Sequence, residues 1–186
     1  WTAERTDLST EESRQELWIL ATSSSNPRVK QWANDKLVAQ GIQVPHITSK
    51  AAAEEMVKAV RYAPMGDRGM GGATRAARYG TLPAKEHIKT SNEEIILAVI
   101  VEDKEALDEL AEIAAIPGLD LVSIGPFDLS QSLGITDPSD PRLKKTIEGI
   151  AKTLKKVGKA KMTFPMNSGA YPLNAAQLQK MGVAYG

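Results

Sequence analysis

The sequence predicts an α/β fold built on a parallel sheet. Short apolar runs alternate with amphipathic helical segments along the chain. Strictly alternating βα units produce parallel strands joined by right-handed crossovers. Residues 95–102 are almost continuously apolar, which is typical of a parallel strand buried on both faces. An open doubly wound sheet and a closed eight-stranded barrel both satisfy this alternation.

Six strands are expected, and each except the last is followed by a helix. The strands are predicted at residues 17–22, 41–47, 95–102, 119–124, 161–165 and 183–186. Asn26 and Pro27 provide an N-cap followed by proline at the first helical position, and Asp140 and Pro141 repeat this signal. Gly158 lies where a left-handed C-cap is favoured. Helices are expected between residues 27 and 41 and over residues 51–61, 104–115, 141–157 and 174–181.

The composition excludes several classes of protein. The chain has 186 residues, with 23 Lys and Arg against 23 Asp and Glu, and no cysteine. Zero net charge gives no global field for nucleic acid or an anionic membrane. Without cysteine there is no disulfide, thiolate zinc site or thiol nucleophile. The chain begins without Met and ends within an apolar run, so we expect a piece of a longer protein. The start lacks the pattern of a signal peptide, which predicts a cytoplasmic location.

Two carboxylates follow consecutive predicted strands. Glu102 ends one strand, and Asp128 lies just beyond the end of the next. In both candidate architectures ligands bind at the carboxyl ends of the strands, and neighbouring strands lie about 4.8 Å apart. Two carboxylates are typical ligands of Mg²⁺ or Mn²⁺. The alternative is that both residues only cap the helices that follow.

The segments around these carboxylates carry groups suited to an anion. Gly125 permits a close backbone approach, so the N–H groups of Phe127 and Asp128 are candidate ligands of a substrate carboxylate. The alternative is a rigid strand-to-helix turn. The glycine-rich stretch 68–80 begins at Arg68 and contains further arginines, which suggests an anionic substrate or a solvated helix face.

The chain has two histidines. His46 lies at the carboxyl end of a predicted strand, where a general base could stand or where the ring could simply be packed. His87 lies in a polar stretch and is expected to be exposed. Two histidines exclude a three-histidine zinc site.

Three stretches together resemble the HpcH/HpaI aldolase family. They are Gly-Ile-Gln-Val-Pro-His at 41–46, Arg-Tyr-Ala-Pro-Met-Gly-Asp-Arg-Gly-Met-Gly-Gly at 61–72 and Ile-Gly-Pro-Phe-Asp-Leu-Ser at 124–130. This family of metal-dependent 2-oxo-acid aldolases includes 4-hydroxy-2-oxoheptanedioate aldolase and 2-dehydro-3-deoxyglucarate aldolase. The resemblance implies a (β/α)8 TIM barrel of the phosphoenolpyruvate/pyruvate type. Residues 1–186 are then expected to form a single partial barrel domain, incomplete at both ends, in a homo-oligomer, by resemblance a hexamer.

The resemblance also implies an activity and a site. The activity is reversible aldol cleavage of 4-hydroxy-2-oxo acids to pyruvate and an aldehyde through a metal-bound enolate. The family's metal ligands fall on Glu102 and Asp128, with Mg²⁺ or Mn²⁺ as the cofactor. The pyruvate contacts fall on the backbone amides of Phe127 and Asp128, and Arg68 is a further candidate for substrate binding. The expected partners are small molecules, a 2-oxo acid and an aldehyde, with no nucleic acid or membrane.

One departure from the family pattern concerns proton transfer. Arg5 occupies the position of the family's catalytic histidine, and a permanently protonated guanidinium cannot serve as that base. His46 is then the candidate base. The alternative function is a non-catalytic barrel, for carboxylate binding or assembly, that has lost its proton-transfer residues.

Overall fold

The computed structural model describes residues 41–137, 139–166 and 168–185. Arg5, the strand predicted at 17–22 and the helix predicted between 27 and 41 lie outside these residues. Within the described chain, Met70–Thr90 belongs to one compact unit. Gly41–Gly69 and the residues from Ser91 onward belong to a second, which contains the sheet.

The sheet consists of five parallel strands in the order in which they occur along the chain. They are β1 (Gly41–Val44), β2 (Ile96–Val101), β3 (Leu121–Ile124), β4 (Lys161–Thr163) and β5 (Val183–Tyr185). A doubly wound sheet reverses its strand order at a switch point, whereas a barrel adds each strand beside the previous one. The described strands show no reversal, so their order is that of a TIM barrel.

The described chain also contains six α-helices and two 3₁₀ turns. The helices are α1 (Lys50–Val60), α2 (Ala84–Glu94), α3 (Leu110–Ala114), α4 (Pro126–Ser132), α5 (Pro141–Val157) and α6 (Ala175–Met181), and the turns are Arg78–Gly80 and Lys104–Leu107. The prediction of a single helix at 104–115 is wrong, because the structure has the Lys104–Leu107 turn and the short helix α3 there. Helices α2 and α4 were not predicted.

Helix α5 is the element that follows its sequence signals most closely. Asp140 caps its first turn by accepting from the N–H of Arg142, Pro141 is its first residue, and Gly158 ends it at φ 71°. Its apolar face is buried through Leu143, Ile147, Ile150, Ala151 and Leu154. Burying each large aliphatic side chain contributes about 1.5–3 kcal/mol. The predicted boundaries of this helix are confirmed.

Strand β1 ends earlier than predicted, because the backbone leaves the extended conformation at Pro45 and His46. The prediction extended to residue 47, but the strand stops at Val44. Pro45 has no N–H to donate to a neighbouring strand. His46 then adopts φ 55°, which lies outside the extended region. The chain therefore leaves the sheet at its carboxyl edge, and His46 lies at that edge.

The described segment Met70–Thr90 forms turns followed by the start of α2. Thr74 closes one turn by donating from both its N–H and its hydroxyl to the carbonyl oxygen of Gly71. His87, on α2, is buried, so the expectation that it is exposed was wrong. The polar composition of the segment concealed a buried helix face. No helix among the described residues is long and apolar enough to cross a membrane.

Candidate functional site

The register of β2 against β3 places Glu102 beside Gly125. Val101 pairs with Ile124, and Glu102 and Gly125 are the next residue of each chain segment. Glu102 is only 5% exposed. A Cβ atom on Gly125 would lie 2.7 Å from Oε2 of Glu102. The glycine therefore makes room for a buried carboxylate at the carboxyl edge of the sheet, where the sequence predicted it.

His46 reaches the same carboxylate from β1. Its backbone N–H donates to Oε1 of Glu102 at 2.9 Å. Its ring atom Nδ1 lies 3.4 Å from that oxygen and 3.2 Å from Oδ2 of Asp103. The imidazole is otherwise open, with a side chain 72% exposed. The structure thus brings together two residues singled out from sequence, Glu102 and His46.

Asp103 is a member of this cluster that the sequence reasoning missed. It directly follows Glu102 and precedes the Lys104–Leu107 turn as its N-cap, but its side chain makes no cap hydrogen bond. The hydroxyl of Ser132 instead accepts from the N–H of Lys104 at 2.8 Å. The signal in the sequence that could have identified Asp103 is the adjacent pair of acids at the end of an apolar strand.

Phe127 and Asp128 lie in the first turn of α4, after the N-cap Gly125 and Pro126. The first N–H groups of a helix have no intrahelical partner, so they face outward. Both side chains are exposed, Phe127 by 61%. A Cβ on Gly169 would lie 3.1 Å from the Phe127 ring. The structure therefore places Asp128 on the same edge as Glu102, three residues beyond Gly125.

Arg68 lies elsewhere. Its guanidinium carbon stacks 4.7 Å from the centroid of the Tyr62 ring, a cation–π contact. Its backbone N–H donates to the carbonyl oxygen of Arg61 at 3.0 Å, at the C-terminal end of α1. None of its described contacts joins it to Glu102, so the structure does not bring it to the cluster.

The donor set of the cluster fits a divalent cation. One ligand atom each from His46, Glu102 and Asp103 lies within 4.8 Å of the others. Among the described residues, no lysine or arginine forms an ion pair with Glu102, and His46 is its described partner. Glu102 has acceptor positions left after its bond from His46. Hard divalent cations prefer such carboxylate oxygens.

The order of the strands, with a buried carboxylate at their carboxyl edge, defines a TIM-barrel-like α/β protein. Residues 13–170 match the model of the family described as HpcH/HpaI aldolase/citrate lyase. The chain belongs to this family, which confirms the resemblance seen in the sequence.

Curated relatives of the chain are aldolases. A hydroxypyruvate/pyruvate aldolase of Sagittula stellata is 43% identical over 122 residues, which are 64% of this chain and 47% of that protein. A 2-keto-3-deoxy-L-rhamnonate aldolase of Escherichia coli K12 is 38% identical over 144 residues, 76% of this chain and 52% of that protein. The chain thus spans about half the length of the curated relatives that it matches.

Solved structures agree with this fold. An HpcH/HpaI aldolase/citrate lyase family protein from Burkholderia cenocepacia superposes with a TM-score of 0.69 and 27% identity, covering 86% of this chain and 62% of that one. An HpcH/HpaI aldolase from Desulfitobacterium hafniense gives 0.67 and 26%, covering 83% and 58%. The predicted barrel class is confirmed.

Proposed function

We propose that the chain is part of a divalent-metal-dependent lyase that reversibly cleaves 4-hydroxy-2-oxo acids to pyruvate and an aldehyde. The observation that carries the proposal is the buried carboxylate of Glu102, held at the carboxyl edge beside Gly125 in a barrel of an aldolase family. A buried carboxylate with free acceptor positions is suited to a ligand rather than to packing. The aldolase names of the curated relatives support the same reaction class.

Glu102 and Asp128 are the proposed ligands of the cation, Mg²⁺ or Mn²⁺, because the resemblance assigns it to them, although the described donors that cluster with Glu102 are those of His46 and Asp103 and not Asp128. Both proposed ligands are oxygen donors on one edge of the sheet, and Glu102 has one oxygen, Oε2, facing Gly125. A divalent cation supplies Lewis-acid stabilisation of the negative charge that develops on a 2-oxo acid.

The first turn of α4 is the proposed binding site for the substrate carboxylate. The N–H groups of Phe127 and Asp128 precede the first intrahelical hydrogen bonds, and the helix dipole favours an anion there. Arg68, predicted as a substrate contact, remains a prediction from the resemblance, because its described contacts are with Tyr62, Val60 and Arg61.

His46 is the proposed proton-transfer residue. In the cleavage direction Nε2 accepts the proton of the C4 hydroxyl, the C3–C4 bond breaks, and its electron pair forms the enolate of pyruvate. The aldehyde leaves, and the imidazolium returns the proton to C3. Protons and electrons balance without a further reactant. The cytoplasmic location and the homo-hexamer stay predictions from the sequence.

Ligand binding provides the first test. Pyruvate with Mg²⁺ or Mn²⁺ should raise the melting temperature of the chain, because a ligand that binds only the native state stabilises it, by about 2.7 kcal/mol at one hundred times Kd. Asp128→Ala should abolish the shift, whereas Asp108→Ala, an exposed acid outside the cluster, should retain it. A wild-type chain indifferent to both ligands would contradict the proposed metal site.

Activity provides the second test. The wild-type chain should cleave 4-hydroxy-2-oxo acids, measured as pyruvate released, and His46→Ala should lower kcat by about 10²–10⁴. Binding of pyruvate and metal without any cleavage would favour the non-catalytic alternative. The arginine at position 5, where the resemblance places the family's histidine, would agree with that result.

A further inference from the structure

Charge is divided unevenly between two neighbouring parts of the chain. Residues 102–120 contain seven Asp and Glu against one Lys, and residues 141–161 contain eight Lys and Arg against one Glu. The whole chain has 23 residues of each sign. Part of its neutrality therefore comes from two segments of opposite charge, and each segment has a local field although the chain as a whole has no net charge.

Helix α5 carries the positive charge on its exposed side. The lysines that we call the basic patch are Lys145, Lys152, Lys155 and Lys156, all of them exposed. None of them takes part in an ion pair within the described chain. Like charges three or four residues apart on a helix repel one another, so Lys152 is repelled by both Lys155 and Lys156. The helix dipole favours cations only in the last turn, so it does not offset this cost for Lys152.

The turn at Lys104–Leu107 and helix α3 carry the negative charge. The acids that we call the acidic patch are Glu105, Asp108 and Glu112, and all three are exposed. They are spaced by three and four residues, which is the spacing along one side of a helical segment. In the described chain only Glu112 has an ion pair, a long one of 3.9 Å from its Oε2 to Nζ of Lys50. Most of the charge of this patch is therefore uncompensated.

Helix α1 shows the opposite arrangement. Nζ of Lys58 lies 2.9 Å from Oε1 of Glu55, and Nζ of Lys50 lies 3.6 Å from Oε1 of Glu54. Each charged side chain of α1 thus has a partner of opposite sign on the same helix. The basic and acidic patches lack such partners, and a surface of opposite charge from outside the chain would supply them.

The two patches are neighbours on the outer side of the sheet. Helix α3 packs against α5, and Nζ of Lys159, just after α5, donates to the carbonyl oxygen of Ala115, the C-cap of α3, at 3.4 Å. Helix α1 packs against α3, and α6 packs against α5. Described helices therefore already lie beside this pair, and the exposed charges face away from the described chain.

We propose that the two patches form a two-fold contact between two copies of this chain, with the basic patch of each copy against the acidic patch of the other. A two-fold axis between neighbouring patches of opposite sign brings each patch opposite its complement, so both contacts form together. A nucleic acid fits this surface less well, because the acidic patch beside the lysines repels a polyanion. The contact does not depend on the proposed function.

Sedimentation of the wild-type chain at several salt concentrations is the first test. Salt screens exposed charges beyond a Debye length of about 10 Å at 0.1 M and 3 Å at 1 M. The apparent Kd of self-association should therefore rise at least about tenfold between about 0.05 and 0.5 M NaCl. A chain that is monomeric at the lower concentration, or an assembly that salt does not weaken, would overturn the proposal.

Charge reversal tests which surfaces meet. The base-reversed variant carries Lys152→Glu, Lys155→Glu and Lys156→Glu, and the acid-reversed variant carries Glu105→Lys, Asp108→Lys and Glu112→Lys. In each variant alone, like charges would face each other at both contacts, so self-association should be lost. Mixed in equal amounts, the two variants should associate, because every contact then joins opposite charges. Recovery on mixing would also show that both variants are folded.

A control variant separates the patches from net charge. It carries Lys85→Glu, Lys89→Glu and Lys180→Glu, at exposed lysines outside both patches, and has the same net charge as the base-reversed variant. It should associate with itself more tightly than the base-reversed variant does, and it should not associate with the acid-reversed variant.

Three further results would overturn the proposal. The first is a base-reversed variant that self-associates as the wild type does. The second is a pair of reversed variants with melting temperatures near that of the wild type that do not associate on mixing. The third is a single-stranded DNA oligonucleotide that binds the wild-type chain and not the base-reversed variant, which would assign the lysines to a polyanion.

Discussion

Two charged side chains are buried at opposite edges of the sheet, and their surroundings differ. Arg61, 2% exposed, lies at the amino edge, and Glu102, 5% exposed, lies at the carboxyl edge. Five hydrogen bonds use all five N–H donors of the guanidinium, and their acceptors are the carbonyl oxygens of Asn92, Ile95 and Gly118, the last used twice, and the carboxylate of Asp120. Glu102 accepts one backbone hydrogen bond, from His46, beside the imidazole contact.

The difference separates a charged group whose hydrogen-bonding positions are all used from one that has positions left. A guanidinium whose donors are all used has nothing left for a ligand, and it joins the end of α1 to the starts of β2 and β3. A carboxylate offers about four acceptor positions, so Glu102 keeps some for a ligand. The edges agree with the barrel rule that the carboxyl ends carry function and the amino ends stability.

Arg61→Ala should cause the largest loss. Removing one member of a buried charged network costs about 3–5 kcal/mol, and three carbonyl groups would lose their donor. Urea unfolding measures the loss. Arg61→Lys keeps the charge but not the planar fork of donors, so it should lose an intermediate amount. A loss below about 1 kcal/mol in Arg61→Ala would show that the amino-edge network is not structural.

Gly125→Ala should disturb the carboxyl edge of the sheet, where Glu102 lies. The added Cβ would lie 2.7 Å from Oε2 and 3.1 Å from Cβ of Glu102, so the carboxylate must move. We expect a loss of about 1–3 kcal/mol and no rise in melting temperature with pyruvate and Mg²⁺. Gly149→Ala is the matched control, since a Cβ there meets nothing within 4 Å, and it should stabilise α5 by up to about 1 kcal/mol. An unimpaired ligand response in Gly125→Ala would contradict the proposed role of the glycine.

Glu102→Gln tests most directly whether the buried charge of Glu102 differs in role from that of Arg61. The amide has nearly the same shape and still accepts the His46 N–H, and it removes a buried charge. We expect stability within about 1 kcal/mol of wild type, or slightly higher, because functional groups are often held at a cost in stability. The response to pyruvate and metal should be lost. If urea unfolding shows a loss as large as that of Arg61→Ala, Glu102 is structural and the comparison fails.

Local signals account for much of the fold that the sequence predicted. The apolar run at 95–102 and the periodic helix ending at Gly158 became β2 and α5 with small changes at the ends, because burial and capping act within each element. The helix predicted at 104–115 failed where contacts come from elsewhere in the chain. Glu109, at its centre, accepts the N–H of Lys50 at 2.7 Å, and such a partner is not visible in the local pattern.

The same limit applies to the site. Glu102 and Asp128 were predicted because each follows a strand, and the sheet then places both at one edge. Asp103 was missed because its partner His46 is 57 residues away in the chain, and the Arg61 network because Asp120 is 59 residues away. A buried charge becomes interpretable only when its partners are known.

We expect the smallest effect on stability at Asp140, which belongs neither to the hydrogen-bond network of Arg61 nor to the surroundings of Glu102. Its carboxylate accepts from the side chain of Arg142, which is the main cause, and from the N–H of Arg142, and both lower the pKa of Asp140 below its ordinary 3.8. A lowered pKa in the folded chain adds stability above about pH 3.8, which is lost as the pH falls through the folded value. The pair is exposed, so salt screens it and the contribution is small.

Asp140→Asn keeps an oxygen for the N-cap and removes the titration. Unfolding at several pH values should therefore show a shallower acid loss in this variant than in wild type. Asp137, whose pKa Ser139 lowers in the same way, titrates in both proteins, so only the difference between them reports on Asp140. Equal slopes in the two would show that the Asp140–Arg142 pair adds nothing to folding.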